Sequence, residues 1–170
     1  MAKKLLIALV AIMGLSILAW AANKPNFSGT WTLDRGRSFG MPQDMNQILT
    51  ITHSDDKMEV ETKVIQPNNE RTIKDTFILD GKEHEFQPPT PPNAPAGSPA
   101  PPKGKRTATW LPNNMGITVT DVTPVQTPNG EATNQNVRKW AINTQGELVV
   151  DTYVDSPRGS FEAKRIFKKQ

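Results

Sequence analysis

The chain has 170 residues and a mass of 18.8 kDa, enough for one domain. Its 20 Lys and Arg against 17 Asp and Glu are too evenly matched for a nucleic-acid footprint, despite a pI of 9.2. With no cysteine and two histidines, it excludes disulfides, thiolate metal sites, a lipid-bearing N-terminal Cys and a His-rich metal centre.

Residues 1–21 read as an export signal. Lys3 and Lys4 form a basic start and an apolar run extends from Leu5 to Ala22. Ala19-Trp20-Ala21 then offers the small residues a signal peptidase reads. Cleavage is expected after Ala21 or one residue later. An uncleaved anchor is the rival, because the run is about the minimum length for a span. Residues 22–26 make a short joint. The layout points to a bacterial protein of the periplasm or medium, with no stable membrane insertion once the signal is gone. What remains is apolar-poor and holds all 17 threonines, whose branched Cβ suits a pleated surface.

From Phe27 onward the pattern is short alternating runs between turn residues, which predicts an all-β domain over 27–170. Strands are expected at Phe27 to Leu33, Gln47 to His53, Lys57 to Ile65, Glu70 to Leu79 and Lys82 to Phe86. A short helix at most fits around 37–46, where Gly40 and Pro42 interrupt. A Pro-rich surface loop over 87–103 follows, with eight of the fifteen prolines in 88–102. Proline has no N–H for a ladder, so this segment should be extended and exposed. Strands resume at Lys105 to Leu111 and Gly116 to Val122. Pro124 and Pro128 predict an irregular edge or a loop ending at Asn129-Gly130. Gln135 to Asn143, Glu147 to Val154 and Ser160 to Lys168 complete the set. Hairpin-length turns imply an up-and-down antiparallel meander of about 8–10 strands, and such a sheet tends to close into a barrel.

The first strand reads Phe27-Ser28-Gly29-Thr30-Trp31, and the last Lys164-Arg165-Ile166-Phe167-Lys168. The opening is similar to the F-x-G-x-W phrase of the calycins, the lipocalins and fatty-acid-binding proteins. The ending resembles that of the fatty-acid-binding group, and the whole is most similar to small secreted lipocalin-like proteins of bacteria. The resemblance implies a barrel closed by Gly29, Trp31 and Arg165, with Gly29 bending the backbone at the floor. Trp31 would plug the floor, and an arginine of the last strand would stack on its indole. It also implies an alternative role for Arg165. In the fatty-acid-binding group an arginine here holds a carboxylate in the cavity, helped by a tyrosine two residues on. Phe167 stands at that second place, without a hydroxyl.

The candidate ligand-binding residues are therefore Arg165, Phe167, Trp110, Trp140 and Tyr153. Arg138 and Trp140 share one strand face, as do Asp151 and Tyr153, and alternation leaves open whether each face is a cavity wall or the outside. No catalytic, metal or cofactor set emerges. His53, beside Asp55 and Asp56, reads as a solvated turn. His84 faces away from Glu83 and Glu85. Asp151 and Asp155 are not singled out from surface charges, and Lys103-Gly104-Lys105-Arg106 reads as a solvated basic face. The expected function is an exported, non-enzymatic barrel that binds a small hydrophobic or amphipathic molecule, such as a lipid or fatty acid. The alternative is an envelope structural or interaction module, with a protein partner at the Pro-rich segment 88–102.

Overall fold

The computed structural model describes residues 24–91, 94–95, 97–128 and 130–170. The expected signal, and the first two residues of the joint, lie outside them. Alternating sequence becomes ten strands: β1 (Gly29–Leu33), β2 (Asn46–His53), β3 (Lys57–Gln66), β4 (Asn69–Ile78), β5 (Glu83–Phe86), β6 (Gly104–Trp110), β7 (Gly116–Thr127), β8 (Gly130–Ile142), β9 (Leu148–Ser156) and β10 (Gly159–Lys169). All pairings are antiparallel, in the order β4-β3-β2-β1-β10-β9-β8-β7-β6-β5. The chain is thus an up-and-down meander whose first and last strands have found each other, from Trp31↔Lys169 to Leu33↔Phe167.

Among the described residues the strand order breaks at one seam. β4 and β5 follow one another in sequence but share no ladder. At the foot of the seam the Gly81 N–H donates to the Ala108 carbonyl at 3.0 Å. Above that point the strands diverge, and Arg106 of β6 spans the space to reach β4.

The pairing register decides which side chains face inward. The base of the barrel is apolar: Phe27, Trp31, Met58, Phe77, Leu148 and Phe167 are all buried there. Trp31 is 2% exposed, and its indole N–H donates to the Phe27 carbonyl at 2.9 Å. The cation over its ring is Lys169 at 5.3 Å, not Arg165. The reason is register: Lys169 is opposite Trp31 on β1, whereas Arg165 is opposite Val150 on β9. Gly29 has φ +132°, and a Cβ there would meet the Lys169 side chain at 2.7 Å. Glycine here therefore makes room for the lysine that covers the floor tryptophan.

Two local expectations are revised. The region around 37–46 holds no helix; a single 3-10 turn lies at Arg35–Arg37, and Phe39 then bridges to Lys164 of β10. β7 does not end at Val122. It runs on through Pro124 to Thr127, in unbroken register with β8 from Val122↔Gln135 to Thr127↔Gly130. The β6 ladder stops at Lys105↔Val122. Beyond that point β7 has a neighbour on one side only, and a residue without an N–H is tolerated. The β7–β8 and β9–β10 hairpins thus project past the barrel and form its mouth. The described residues of 87–103 form no strand before β6.

Candidate functional site

The inner face of β8, β9 and β10 can be read in rows from base to mouth. Trp140, Val150 and Arg165 form one row, Arg138, Thr152 and Ala163 the next, and Asn136, Val154 and Phe161 the third. The apolar base therefore gives way to a polar layer, and the polar layer to a mixed mouth in which Val154 and Phe161 stand beside Asn136. Of the two shared faces seen in the sequence, Arg138 and Trp140 are the inner wall.

The polar layer is built around arginines. Arg106, 6% exposed, grips Asp121 with two bonds, Nε to Oδ1 at 2.6 Å and Nη2 to Oδ2 at 2.9 Å. Its Nη1 reaches across the seam to Asp75 Oδ1 at 2.9 Å and the Thr76 carbonyl at 3.3 Å. The guanidinium lies between the rings of Phe77 and Phe86, at 4.8 and 4.1 Å. Burial works against this charge, but the carboxylates outweigh it and raise its pKa above the ordinary value. Arg106 is thus no solvated surface charge, because β-alternation sends Lys105 out and Arg106 in. Arg138 donates to the same Asp121 at 2.6 Å. Its pKa is nonetheless lowered, by burial first.

Arg165 differs. No carboxylate of the described residues pairs with it, and its Nε has no hydrogen-bond partner. Its pKa is lowered by burial and then by repulsion from Arg138. Arg165, Arg138, Trp140, Gln47, Thr62 and Phe167 lie around an inner cavity of about 70 Å3. The Arg138 Nε and Trp140 indole N–H also lack partners, as does the Thr152 hydroxyl in the adjacent row. Buried donors normally find acceptors. Here Arg165, Arg138 and Trp140 line one cavity, and each carries an unpartnered nitrogen.

Toward the mouth, Val125, Thr127, Asn134, Val154, Pro157 and Phe161 line a cleft of about 380 Å3 between the two projecting hairpins. Phe161 is 54% exposed there. Sequence reading left this stretch as an irregular edge or a loop, and the structure makes it an edge.

The remaining candidates fall elsewhere. Tyr153 is 43% exposed and faces outward, opposite Val137 and Glu162. With Phe39, Asp151 and Lys164 it lines a groove on the outer wall. Trp110 is at the base, stacked on Phe27 and beside His53, with Lys24 over its ring at 4.6 Å. It packs the floor rather than the cavity. His84 meets Asp80 at 3.0 Å, while Glu83 and Glu85 pair with Lys105 and Lys103. Among the described residues no group of His, Asp and Glu could hold a metal ion.

His53 is not solvated. Its ring packs on Phe27 and Trp110, and Nδ1 accepts the Phe27 N–H at 3.4 Å. That bond requires a neutral nitrogen, and burial lowers the His53 pKa from 6.5. The folded state therefore holds the proton more weakly than the unfolded chain. Stability is full above pH 6.5 and is lost as pH falls through 6.5 toward the folded value. His53→Gln should flatten this slope, as read from Tm measured between pH 8 and pH 5.

No family model matches the chain, and no curated protein matches it. Among solved structures it is similar to the zebrafish ileal bile acid-binding protein, crystallised with cholic acid. The TM-score is 0.52 at 18% identity, covering 85% of this chain and 98% of that one. At this identity the likeness shows the fold alone, an all-β antiparallel meander barrel.

Proposed function

We propose that this barrel is an exported, non-catalytic binder of a small amphipathic molecule whose acidic head lies inside. The observation that carries the reading is Arg165, a buried guanidinium with no carboxylate partner among the described residues, on the lining of an inner cavity that Arg138 and Trp140 share. An anionic head would supply the missing counter-charge, and a hydrogen bond to a charged group contributes about 1.5–3 kcal/mol. The cavity has room for a head group and little else. The apolar body would lie against Val125, Val154 and Phe161, in a mouth cleft of the size that accepts small ligands. Phe167 forms the apolar floor beneath the head. That a protein of similar fold was crystallised with cholic acid supports a ligand inside such a barrel. Export is supported by the basic start, the apolar run and the Ala-Trp-Ala exit of residues 1–21.

Isothermal titration with octanoate, octanol and octylamine tests this. Octanoate should bind at least about tenfold more tightly than octylamine, as one charge-assisted contact implies. Equal affinity for all three, or binding of none, would overturn the proposal. Deleting 88–102 should leave octanoate affinity unchanged, which separates this reading from a role for the Pro-rich segment.

A further inference from the structure

We infer that the head this cavity selects carries a hydroxyl beside its carboxylate, so that the ligand is a hydroxy acid rather than a plain one. The inference rests on the ligand-binding reading above and adds the chemical class.

Besides the arginines, Gln47 of β2 and Thr62 of β3 line the cavity. Alternation turns both inward: Gln47 is in step with the buried Leu49, and Thr62 with the buried Val60 and Val64. Register sets Gln47 opposite Val64 and Thr62 opposite Leu49. Gln47 is 8% exposed, deep for a side chain of its type. Yet its amide makes no hydrogen bond to another described residue, and neither does the Thr62 hydroxyl. Neither group is sealed off by its neighbours, as the Arg138 and Arg165 Nε atoms are. On an inward side chain, what stays open is open to the barrel interior. The two terminal nitrogens of Arg165 are likewise unbonded and unsealed.

The two sides of the cavity therefore need different partners. Arg165 only donates, and a carboxylate answers it in charge and in acceptors. Gln47 has a carbonyl as well as an NH2. A carboxylate has no proton to give, so a plain acid leaves the Gln47 carbonyl unsatisfied in a site it has dried, which is costly. A hydroxyl both donates and accepts, so it meets that carbonyl and still accepts from the amide or from Thr62. The cavity also sets where the hydroxyl lies. About 70 Å3 holds a head and not a chain, so the hydroxyl is one or two carbons from the carboxylate. The sign of the effect is diagnostic. In an apolar pocket an added hydroxyl weakens binding, because it leaves water without a partner. Here it strengthens binding.

Titration calorimetry on the full-length mature protein at pH 7.5 tests this with octanoate, octanol and each enantiomer of 3-hydroxyoctanoate. The better enantiomer should bind at least about fivefold more tightly than octanoate, the scale of one hydrogen bond that spares a buried group from going unpaired. The other enantiomer should lose that gain, because carboxylate, hydroxyl and alkyl chain are held at three separate places. Gln47→Leu should remove the advantage over octanoate. Enantiomers that bind alike, or octanoate that binds as tightly as the better of them, would overturn the inference while leaving the barrel reading intact. Octanol binding as tightly as all the acids would overturn the acidic head and the inference with it. Failure of every probe to bind would overturn both. If Gln47→Leu does not fold, the two wild-type ratios decide alone.

Discussion

Replacing Arg106 with methionine is expected to cost about 3–5 kcal/mol of folding stability, the usual result of removing one partner from a buried charge network. Among the described residues, the side chain spans the seam where the two end strands of the sheet share no ladder. It ties β6 to β7 through Asp121, and to β4 through Asp75 and the Thr76 carbonyl. Its loss leaves Asp75 and Asp121, which are 19% and 8% exposed, with Arg138 as their remaining partner. Two neighbours in sequence provide the contrast. Lys103 and Lys105 make ion pairs with Glu85 and Glu83, but all four side chains are well exposed. Lys103→Ala and Lys105→Ala should each leave the unfolding midpoint nearly where it is. Urea unfolding of the three variants, at matched m-values, measures the difference. Equal effects at all three positions would mean that Arg106 is not the clasp of the seam.

Arg165→Met should move stability and binding in opposite directions. The buried guanidinium has no counter-charge, and burial and Arg138 both oppose its ionised form. An apolar side chain of similar length removes that penalty, and stability should rise by about 1–2 kcal/mol. Octanoate binding should weaken by about 30- to 100-fold, the equivalent of losing one charge-assisted contact in a desolvated site. Thermal unfolding and calorimetry on the same preparation read both effects. A variant that is less stable, with unchanged affinity, would assign Arg165 to the framework alone. The opposed outcome is the mark of a residue kept for a ligand rather than for the fold.

Much of this molecule is written in its two-residue alternation. The meander, its near-closure and the pairing of first and last strands follow from the strand pattern and from the Phe27 and Lys164 segments. The site was only half legible. Trp140 and Arg138 are visibly on one face, but a strand pattern does not say which face is inside when charge and aromatic residues mix on it. Arg106 was hidden by its company: in Lys103-Gly104-Lys105-Arg106 the eye groups four neighbours, while the sheet separates Lys105 from Arg106. The buried Ala108, two residues on, carried the inward signal. The mouth was half legible at Pro124, which left an irregular edge or a loop open, and the choice between them depends on the loss of a neighbouring strand, a property of tertiary structure. Tyr153 stood among the ligand-binding candidates with its face left open, and the inward Thr152 and Val154 on either side leave it outside. The exchange of Arg165 for Lys169 over Trp31 is a matter of register, which one strand's sequence alone does not set.

The most direct measurement is nitrogen-15 NMR of the protein titrated with octanoate, following the indole and guanidinium N–H signals. The account predicts saturable shifts of the Trp140 indole and of the Arg138 and Arg165 Nε–H groups. The Trp31 indole, already bonded to the Phe27 carbonyl, should stay in place. Shifts that gather instead on the outer wall around Phe39 and Tyr153, with the Trp140 and Arg165 signals unmoved at saturation, would contradict it.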